Sequence, residues 1–500
     1  MKNMRRFQYY KVRENMKTLK ITSAFLILSL LLTMLMACAS NGNGTDVTTE
    51  QPAETTTEAL TTSRNDTYKD MKWNDSLKVF TWKEVVSHEF LTECTEGNVY
   101  EEAIVNRLTT IKEKNGIEFK VYTKQGNWEN RSAFIKAVES NQSETGNKAY
   151  DIIGCYAPIV GEMAVKGFLD NLANENEYEY LEIGTGFWPE NYENAARVNN
   201  AIYSLTGVIT STYYQNMSVV HVNLDMLERY NPGVDIYKLV KEKQWTYEKL
   251  EELALGHSTA YGDKTVYGFT MGSTVAYDDI LYSGGYRLVE NYDDGAIGLA
   301  DHESDSEFIE FTKYAYGLLN SNEEVALLAI NAKANASAGT GAGFTYGNVM
   351  FNLGNLSQVK STLQDVDFKV GIIPVPMYET STNKDYATLH SFWVTNYGIN
   401  CNSDDKALSS FALNRLQYYG SDVTDKYLSG VNITEANGEM IDLIAEKLVF
   451  DSARIFGTQI GVFSAFRTAA NTDNWIQYFS TSNSGWIEAI NEINRDLGEW

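Results

Sequence analysis

The chain has 500 residues, 43% of them hydrophobic and 12% aromatic, with 41 basic against 66 acidic side chains and a formal net charge of −25. This length fits two or three folded domains, and the composition excludes wholesale disorder. The negative charge argues against a nucleic-acid partner, which would need clustered Lys and Arg, and four Cys are too few for a disulfide-built scaffold.

The first forty residues have the pattern of an export signal. Seven Lys and Arg lie within residues 1–20, and an apolar run then extends from Ile21 to Ala37. The run ends in Leu35-Met36-Ala37-Cys38, which resembles the bacterial lipobox, whose Cys is acylated and becomes the first residue of the mature protein. We therefore predict a signal peptide over 1–37 and lipidation of Cys38, with an N-terminal membrane anchor as the alternative.

Residues 38–75 have the composition of a flexible tether. The stretch up to about Thr67 is rich in Thr and Glu and has almost no apolar residues, so it cannot bury a core. A lipid, a spacer and a folded body together indicate a protein that is lipid-anchored at the extracellular face of a bacterial cell membrane.

The next segment alternates strand and helix patterns. Strand-like runs lie at 77–82, 117–122 and 150–155, and helical patterns lie at 104–111 and 132–140. This order predicts a parallel α/β sheet, in which ligands collect at the carboxyl ends of the strands. The loops after Trp82, Tyr122 and Tyr156 are therefore the first places to expect a site.

Several local phrases, taken in order, resemble the extracellular solute-binding lipoproteins of bacterial ABC importers, the group related to maltose-binding protein. The phrases are 150–153 with 163–172, 201–205, 244–250, 349–354, 368–376 and 466–470, and a last helix with Trp486, Ile490, Ile493 and Leu497 on one face. The resemblance covers nearly all of 76–500. It implies an α/β, two-lobe periplasmic-binding-protein-like fold with a hinge, in which lobe 1 is 76–205 plus 346–393 and lobe 2 is 206–345 plus 394–500.

The resemblance also implies a function. It predicts that the protein captures a small solute, expected to be a saccharide and most readily an oligosaccharide, in the cleft between the lobes. The solute then passes to the transmembrane permease subunits of an ABC transporter. A family member of this kind acts as a monomer, without enzymatic activity, cofactor or metal.

Aromatic platforms beside polar groups suit sugar rings, which pair an apolar face with a rim of hydroxyls. On this basis and on the resemblance, the candidate ligand-binding residues are Trp82, Glu84, Tyr156, Tyr213, Tyr214, Tyr277, Asp278, Tyr282, Asn352, Trp393, Phe463 and Arg467. We expect Trp128, Trp188 and Trp245 to be packing residues. We also expect Trp82→Ala to weaken binding without unfolding the protein.

Enzyme motifs are weak in this sequence. His88-Glu89 begins a zincin-like phrase, but Thr92 stands where the second His is required. A glycosidase needs only two carboxylates and stays an alternative, as does an adhesin or sensor on the same fold. Cys94, Cys155 and Cys401 are widely spaced, which leaves open whether one disulfide forms.

Overall fold

The structure is a computed structural model that describes residues 68–498, except for 145–148, 255–259, 262–263, 272–275, 321–325, 329–341, 379–384, 391 and 432–433. The predicted signal peptide, Cys38 and the predicted tether up to residue 67 lie outside the described residues. Among the described residues, no helix is both long enough and apolar enough to cross a membrane.

Strands and helices alternate along most of the chain. The strands are β1 (Asp75–Trp82), β2 (Ile117–Lys124), β3 (Ile152–Tyr156), β4 (Ser218–Asn223), β5 (Ala260–Tyr261), β6 (Lys264–Thr265), β7 (Tyr267–Met271), β8 (Val289–Asn291), β9 (Ile297–Leu299), β10 (Ala326–Leu328), β11 (Val349–Asn355), β12 (Val370–Ile373) and β13 (Thr395–Ile399). The helices are α1 (Val99–Asn115), α2 (Arg131–Asn141), α3 (Ala157–Val165), α4 (Glu190–Ala196), α5 (Thr212–Gln215), α6 (Leu224–Tyr230), α7 (Ile236–Lys241), α8 (Tyr247–Ala254), α9 (Ala276–Ser283), α10 (Ser306–Asn320), α11 (Ala342–Thr345), α12 (Lys406–Tyr418), α13 (Gly420–Gly430), α14 (Glu435–Glu446), α15 (Ser452–Ile455), α16 (Gly457–Ile460), α17 (Val462–Thr472) and α18 (Trp475–Asp496).

The first sheet has the strand order β13-β3-β1-β2. Strand β1 pairs in parallel with β2 and β3, and β13 pairs antiparallel with β3. All five residues of β3 are buried, as expected for an interior strand covered by helices on both faces. The parallel α/β sheet predicted from the alternation of patterns is confirmed.

Local sequence explains where the first helix begins and ends. The Asn98 side chain accepts a hydrogen bond from the Glu101 backbone N–H at 3.2 Å, which satisfies one of the free donors of the first turn of α1. Gly116 ends the helix in a left-handed conformation with φ of 69°, which Gly adopts without a steric penalty. The helix therefore ends at the Asn115-Gly116 pair.

The second sheet has the strand order β10-β7-β11-β4-β12. Strand β11 pairs in parallel with β7 and antiparallel with β4, and β12 pairs antiparallel with β4. Two segments lead between the sheets. One follows Leu205, which bridges to Tyr397 of β13, and the other precedes β13, where His390 bridges to Met217.

The predicted lobe division needs a correction. It placed 346–393 in the first lobe, but β11 and β12 make their hydrogen bonds with β4 and β7 in the second sheet. It placed 394–500 in the second lobe, but β13 pairs with β3 in the first sheet. The chain therefore returns to the first sheet at 390–395, directly before β13.

The C-terminal helices pack on both lobes. Helix α13 lies against α1, α15 and α16 lie against α3, and α17 lies against α10 of the second lobe. Trp486, Ile490, Ile493 and Leu497 are buried on one side of α18 and just beyond it, which confirms the predicted apolar face.

The three described cysteines are free. Cys155 is buried in β3, where burial raises the pKa of its thiol well above the usual value, whereas Cys94 is exposed. The disulfide that the sequence left open is absent among the described residues.

Candidate ligand-binding cleft

Aromatic side chains meet at the carboxyl edge of the first sheet. Trp82 ends β1 and Tyr156 ends β3, and because β13 is antiparallel to β3, its first residue, Thr395, lies at the same edge. The Trp82 ring is centred 5.3 Å from the Tyr156 ring and stacks on Trp393 at 5.5 Å and 24°. The Trp82 Nε1–H donates to Thr395 Oγ1 at 2.8 Å, which fixes the orientation of the indole.

The three rings differ in their exposure. Trp82 is 1% exposed and Tyr156 is 5% exposed, whereas Trp393 is 45% exposed. A ligand can therefore lie on Trp393, while Trp82 supports that ring and is itself packed against Tyr156.

A charged group lies on the second-lobe side. Arg467 of α17 donates from Nε and Nη2 to the Asp278 carboxylate of α9, at 2.8 and 2.6 Å. Arg454 of α15 approaches the same carboxylate at 3.9 Å. Asp278 is wholly buried, and two guanidinium groups offset its charge.

Phe392 connects the aromatic and the charged groups. Its ring is centred 6.3 Å from the Tyr156 ring, and the guanidinium carbons of Arg454 and Arg467 lie 4.1 and 5.9 Å from its centre. These are cation–π distances. The residue thus joins the Trp393 platform to the Arg467–Asp278 pair across the two lobes.

Solved structures of transport proteins share this architecture. A sugar transporter from Rhizobium etli in an open conformation aligns over 85% of this chain and 100% of its own, at 14% identity and a TM-score of 0.55. An ABC transporter solute-binding protein from Thermotoga lettingae bound with α-D-tagatose covers the same shares at 17% identity and a TM-score of 0.51. An extracellular solute-binding protein from Staphylococcus aureus in complex with maltose covers 84% and 97%, at 12% identity and a TM-score of 0.52. The chain has the two-lobe fold of these solute-binding proteins.

Sequence comparison adds no closer relationship. No protein-family model matches the chain, and no curated protein matches it in sequence. At identities of 12 to 17%, the likeness establishes the solute-binding-protein fold and not the ligand.

Six of the predicted site residues lie in the aromatic and charged groups that Phe392 connects. They are Trp82, Tyr156, Trp393, Asp278, Arg467 and Phe463. Phe463 is buried, and its ring lies 5.7 Å from the Arg467 guanidinium, so it supports that side chain and does not offer a face of its own.

The second-lobe tyrosines are core residues and not cleft residues. Tyr277 and Tyr282 of α9 are almost completely buried, and the Tyr282 hydroxyl donates to Asp451 at 2.8 Å. Tyr213 is buried with its ring 4.4 Å from the His390 ring, and half-buried Tyr214 packs against the same apolar cluster.

Two polar candidates are also engaged elsewhere. The Glu84 carboxylate accepts the backbone N–H groups of Gly126 and Asn127, at 3.0 to 3.3 Å, and so orders the loop after β2. Asn352 is buried within the second sheet, where its Nδ2 lies 3.3 Å from His221 Nδ1. Both residues were predicted to bind a ligand because of their residue type and their places beside strands. Their burial and hydrogen bonds instead indicate structural roles.

Sequence reasoning missed residues at the same edge. Trp128 was expected to pack, yet it is 51% exposed and lies in the short 3₁₀ turn after β2, with the Arg131 guanidinium 4.0 Å from its ring centre. Its place just after a parallel strand was the available signal. Phe392 and Arg454 had no comparable signal, because neither lies at a strand end or in a recognised phrase.

Burial controls the charge states around the cleft. Burial raises the pKa of Asp279, beside Asp278 in α9, to about 7. Burial and the Arg454 charge lower the pKa of His390 to about 3, so its imidazole is neutral at physiological pH. Among the described residues, no group of His, Cys, Asp and Glu is arranged to hold a metal ion.

Proposed function

We propose that this protein is the extracellular, lipid-anchored solute-binding component of an ABC importer, which captures a saccharide between its lobes and delivers it to the permease. The observation that carries the proposal is the 45% exposed ring of Trp393, which stacks on buried Trp82 at the carboxyl edge of the first sheet.

The chemistry of the cleft supports a saccharide. A flat indole face buries the apolar face of a sugar ring, and the partly exposed Arg467 side chain is a hydrogen-bond donor for sugar hydroxyls. Buried Asp278 holds the Arg467 guanidinium in one orientation, so this donor is ordered before a ligand arrives.

The fold and the N-terminus support a transport role. The structures described above are of a sugar transporter and of solute-binding proteins that hold α-D-tagatose and maltose. Leu35-Met36-Ala37-Cys38 supplies an acylation sequence for retention at the outer face of the membrane. Binding without chemistry is the expected behaviour, because a carrier returns its solute unchanged.

Binding to purified protein tests the proposal. A panel of mono- and oligosaccharides is screened by thermal shift, since a ligand that binds only the folded state raises the melting temperature. Hits are measured by calorimetry, and the saccharide is recovered and analysed for cleavage. We expect at least one saccharide to bind and to be recovered intact.

A matched pair of variants locates the site. Trp393→Ala removes the platform. Tyr346→Ala is the control, because it removes a 60% exposed ring just before the amino end of β11 in the second sheet. Only Trp393→Ala should reduce affinity. Consumption of the saccharide would support a glycosidase instead, and the absence of any stabilising saccharide would refute the proposal.

A further inference from the structure

A wholly buried carboxylate, that of Glu89, lies close to the carboxyl edge of the first sheet. Glu89 directly follows the 3₁₀ turn Val86–His88, which comes after β1. It was not among the residues predicted to bind a ligand. Burying a carboxylate is costly unless its oxygens accept hydrogen bonds or pair with a cation. The partners of Glu89 therefore indicate what the protein gains from placing it there.

Three hydroxyl groups donate to the Glu89 carboxylate. Thr395 Oγ1 donates to Oε1 at 2.6 Å, Thr210 Oγ1 donates to the same oxygen, and the Tyr397 hydroxyl donates to Oε2. Burial raises the pKa of Glu89, and these hydrogen bonds together with the Arg107 charge oppose the rise. Since each hydroxyl gives its proton to Glu89, each hydroxyl oxygen stays free to accept a further bond.

Thr395 uses this acceptor for the indole of the candidate site. Its Oγ1 accepts the Trp82 Nε1–H at 2.8 Å while its own proton goes to Glu89. Trp82 in turn stacks on Trp393, with 5.5 Å between the ring centres. Glu89 is therefore two hydrogen bonds away from the ring that supports the platform.

Thr210 connects Glu89 to the first of the two segments that lead between the sheets. Thr210 lies between Leu205, which bridges to the first sheet, and β4, which belongs to the second. Arg107 of α1 holds the same place, because its Nη1 and Nη2 donate to the carbonyl groups of Ile209 and Glu89 at 2.8 and 2.7 Å. The first segment is thus tied to the first lobe at two successive residues.

Thr395 connects Glu89 to the second segment. Thr395 is the first residue of β13, where this segment enters the first sheet. Oε1 of Glu89 therefore accepts one hydroxyl group from each of the two segments. Hinge closure is taken up by torsion changes in connecting segments of this kind. A bond that ties both segments to one residue fixes the first-lobe side of the hinge.

We propose that Glu89 is a positioning residue for ligand binding. Through Thr395 it orients the indole on which Trp393 stacks, and through Thr210 and Thr395 it holds the first-lobe ends of both interlobe segments. Because its side chain is wholly buried, it acts through these residues and not by contact with the ligand. The proposal rests on the saccharide function proposed above.

Four variants test the role of the hydrogen bonds. Glu89→Leu removes both acceptors, Thr395→Val removes the link to Trp82, and Thr210→Val removes the tie of the first segment without touching Trp82. Each should weaken saccharide binding about 5-fold or more, the factor that corresponds to one such hydrogen bond. Glu89→Gln should stay within about 2-fold of the wild-type protein, because its carbonyl oxygen can accept both Thr hydroxyls while its amide donates to Tyr397.

Ser403→Ala is the matched control. The Ser403 hydroxyl donates to the buried Asp151 carboxylate at 3.0 Å, directly before the amino end of β3, whereas Thr395 lies at the carboxyl end of that strand. This variant also takes a hydroxyl from a buried carboxylate, so it should lower stability but leave affinity within about 2-fold. Urea unfolding gives the stability of every variant, and calorimetry with the best saccharide of the panel gives its affinity.

The outcomes separate the two proposals. Binding by Thr395→Val or Thr210→Val within about 2-fold of the wild-type protein overturns the role of Glu89, whether or not Glu89→Leu folds. An affinity loss in Ser403→Ala as large as theirs also overturns it, because lower stability would then explain all three. In both cases the wild-type protein still binds, and the proposed function stands. If the wild-type protein binds no saccharide, both proposals are refuted.

Discussion

Trp82 and Trp393 stack on each other, yet their replacement by Ala should have different consequences. Trp82 is 1% exposed, and the loss of a buried aromatic side chain costs about 3–5 kcal/mol of the free energy of unfolding. Its Nε1–H bond to Thr395 contributes about 1 kcal/mol more. Since domains are stable by only about 5–15 kcal/mol, Trp82→Ala should be strongly destabilising.

Trp393→Ala should instead act mainly on binding. Its exposed part, 45% of the side chain, is on the order of 100 Å². Covering that area with a ligand is worth about 2.5 kcal/mol at ~25 cal/mol per Å², or about 70-fold in Kd. Because only half of the ring is packed, the cost to folding should be about half that of Trp82→Ala. We therefore expect Trp393→Ala, and not Trp82→Ala, to weaken binding without unfolding the protein.

Urea unfolding gives the two stabilities, and calorimetry with the best saccharide of the panel gives the two affinities. Tyr346→Ala is the control for the loss of an exposed aromatic ring. The reasoning would be refuted if Trp393→Ala bound within about 2-fold of the wild-type protein. It would also fail if Trp82→Ala lost less than about 1 kcal/mol of stability.

Three other predictions concern charge and anchoring. Arg467→Met should destabilise the protein by about 3–5 kcal/mol in urea unfolding, because it leaves the buried Asp278 carboxylate without its main partner. The double variant Arg467→Met with Asp278→Asn should recover part of this loss, because the buried charge is then removed. Because burial raises the pKa of Asp279 from 3.8 to about 7, the folded chain keeps a proton that the unfolded chain loses. The free energy of unfolding should therefore fall as the pH rises from about 4 to about 7, and Asp279→Asn should remove that part of the fall; an unchanged pH profile would contradict it. Cys38→Ser should release the protein into the medium and abolish labelling by radioactive palmitate, and continued membrane retention would favour an N-terminal membrane anchor.

The sequence predicted the first sheet well because its signals are local. Alternating apolar residues and an Asn-Gly helix end mark elements whose limits agree with β1, α1 and β2 to within a few residues. The lobe division failed because it depends on which strands pair over long distances. No local pattern in β11 indicates that Phe351 pairs with Val222 and not with the first sheet.

The candidate site was predictable to the same extent. Trp82 and Tyr156 lie together at the sheet edge, as the strand positions alone predicted, because the carboxyl ends of parallel strands meet at one edge. Tyr282 and Asn352 were misplaced because residue type does not indicate burial, and both have polar partners inside the second lobe. The contact of Arg454 with Phe392 could not be predicted from local sequence, because it depends on the fold that brings α15 beside Phe392.

The register of β13 helps to position the Trp393 platform. Trp393 stacks on Trp82, and Thr395, the first residue of β13, accepts the Trp82 indole N–H. Successive side chains of a strand point to opposite faces, and Thr395 lies opposite Tyr156 while Asn396 lies opposite Cys155. A slip of one residue in this register would turn the Thr395 hydroxyl away from Trp82 and remove the hydrogen bond that orients the indole. The pairing that builds the first sheet therefore also holds the ring on which Trp393 stacks.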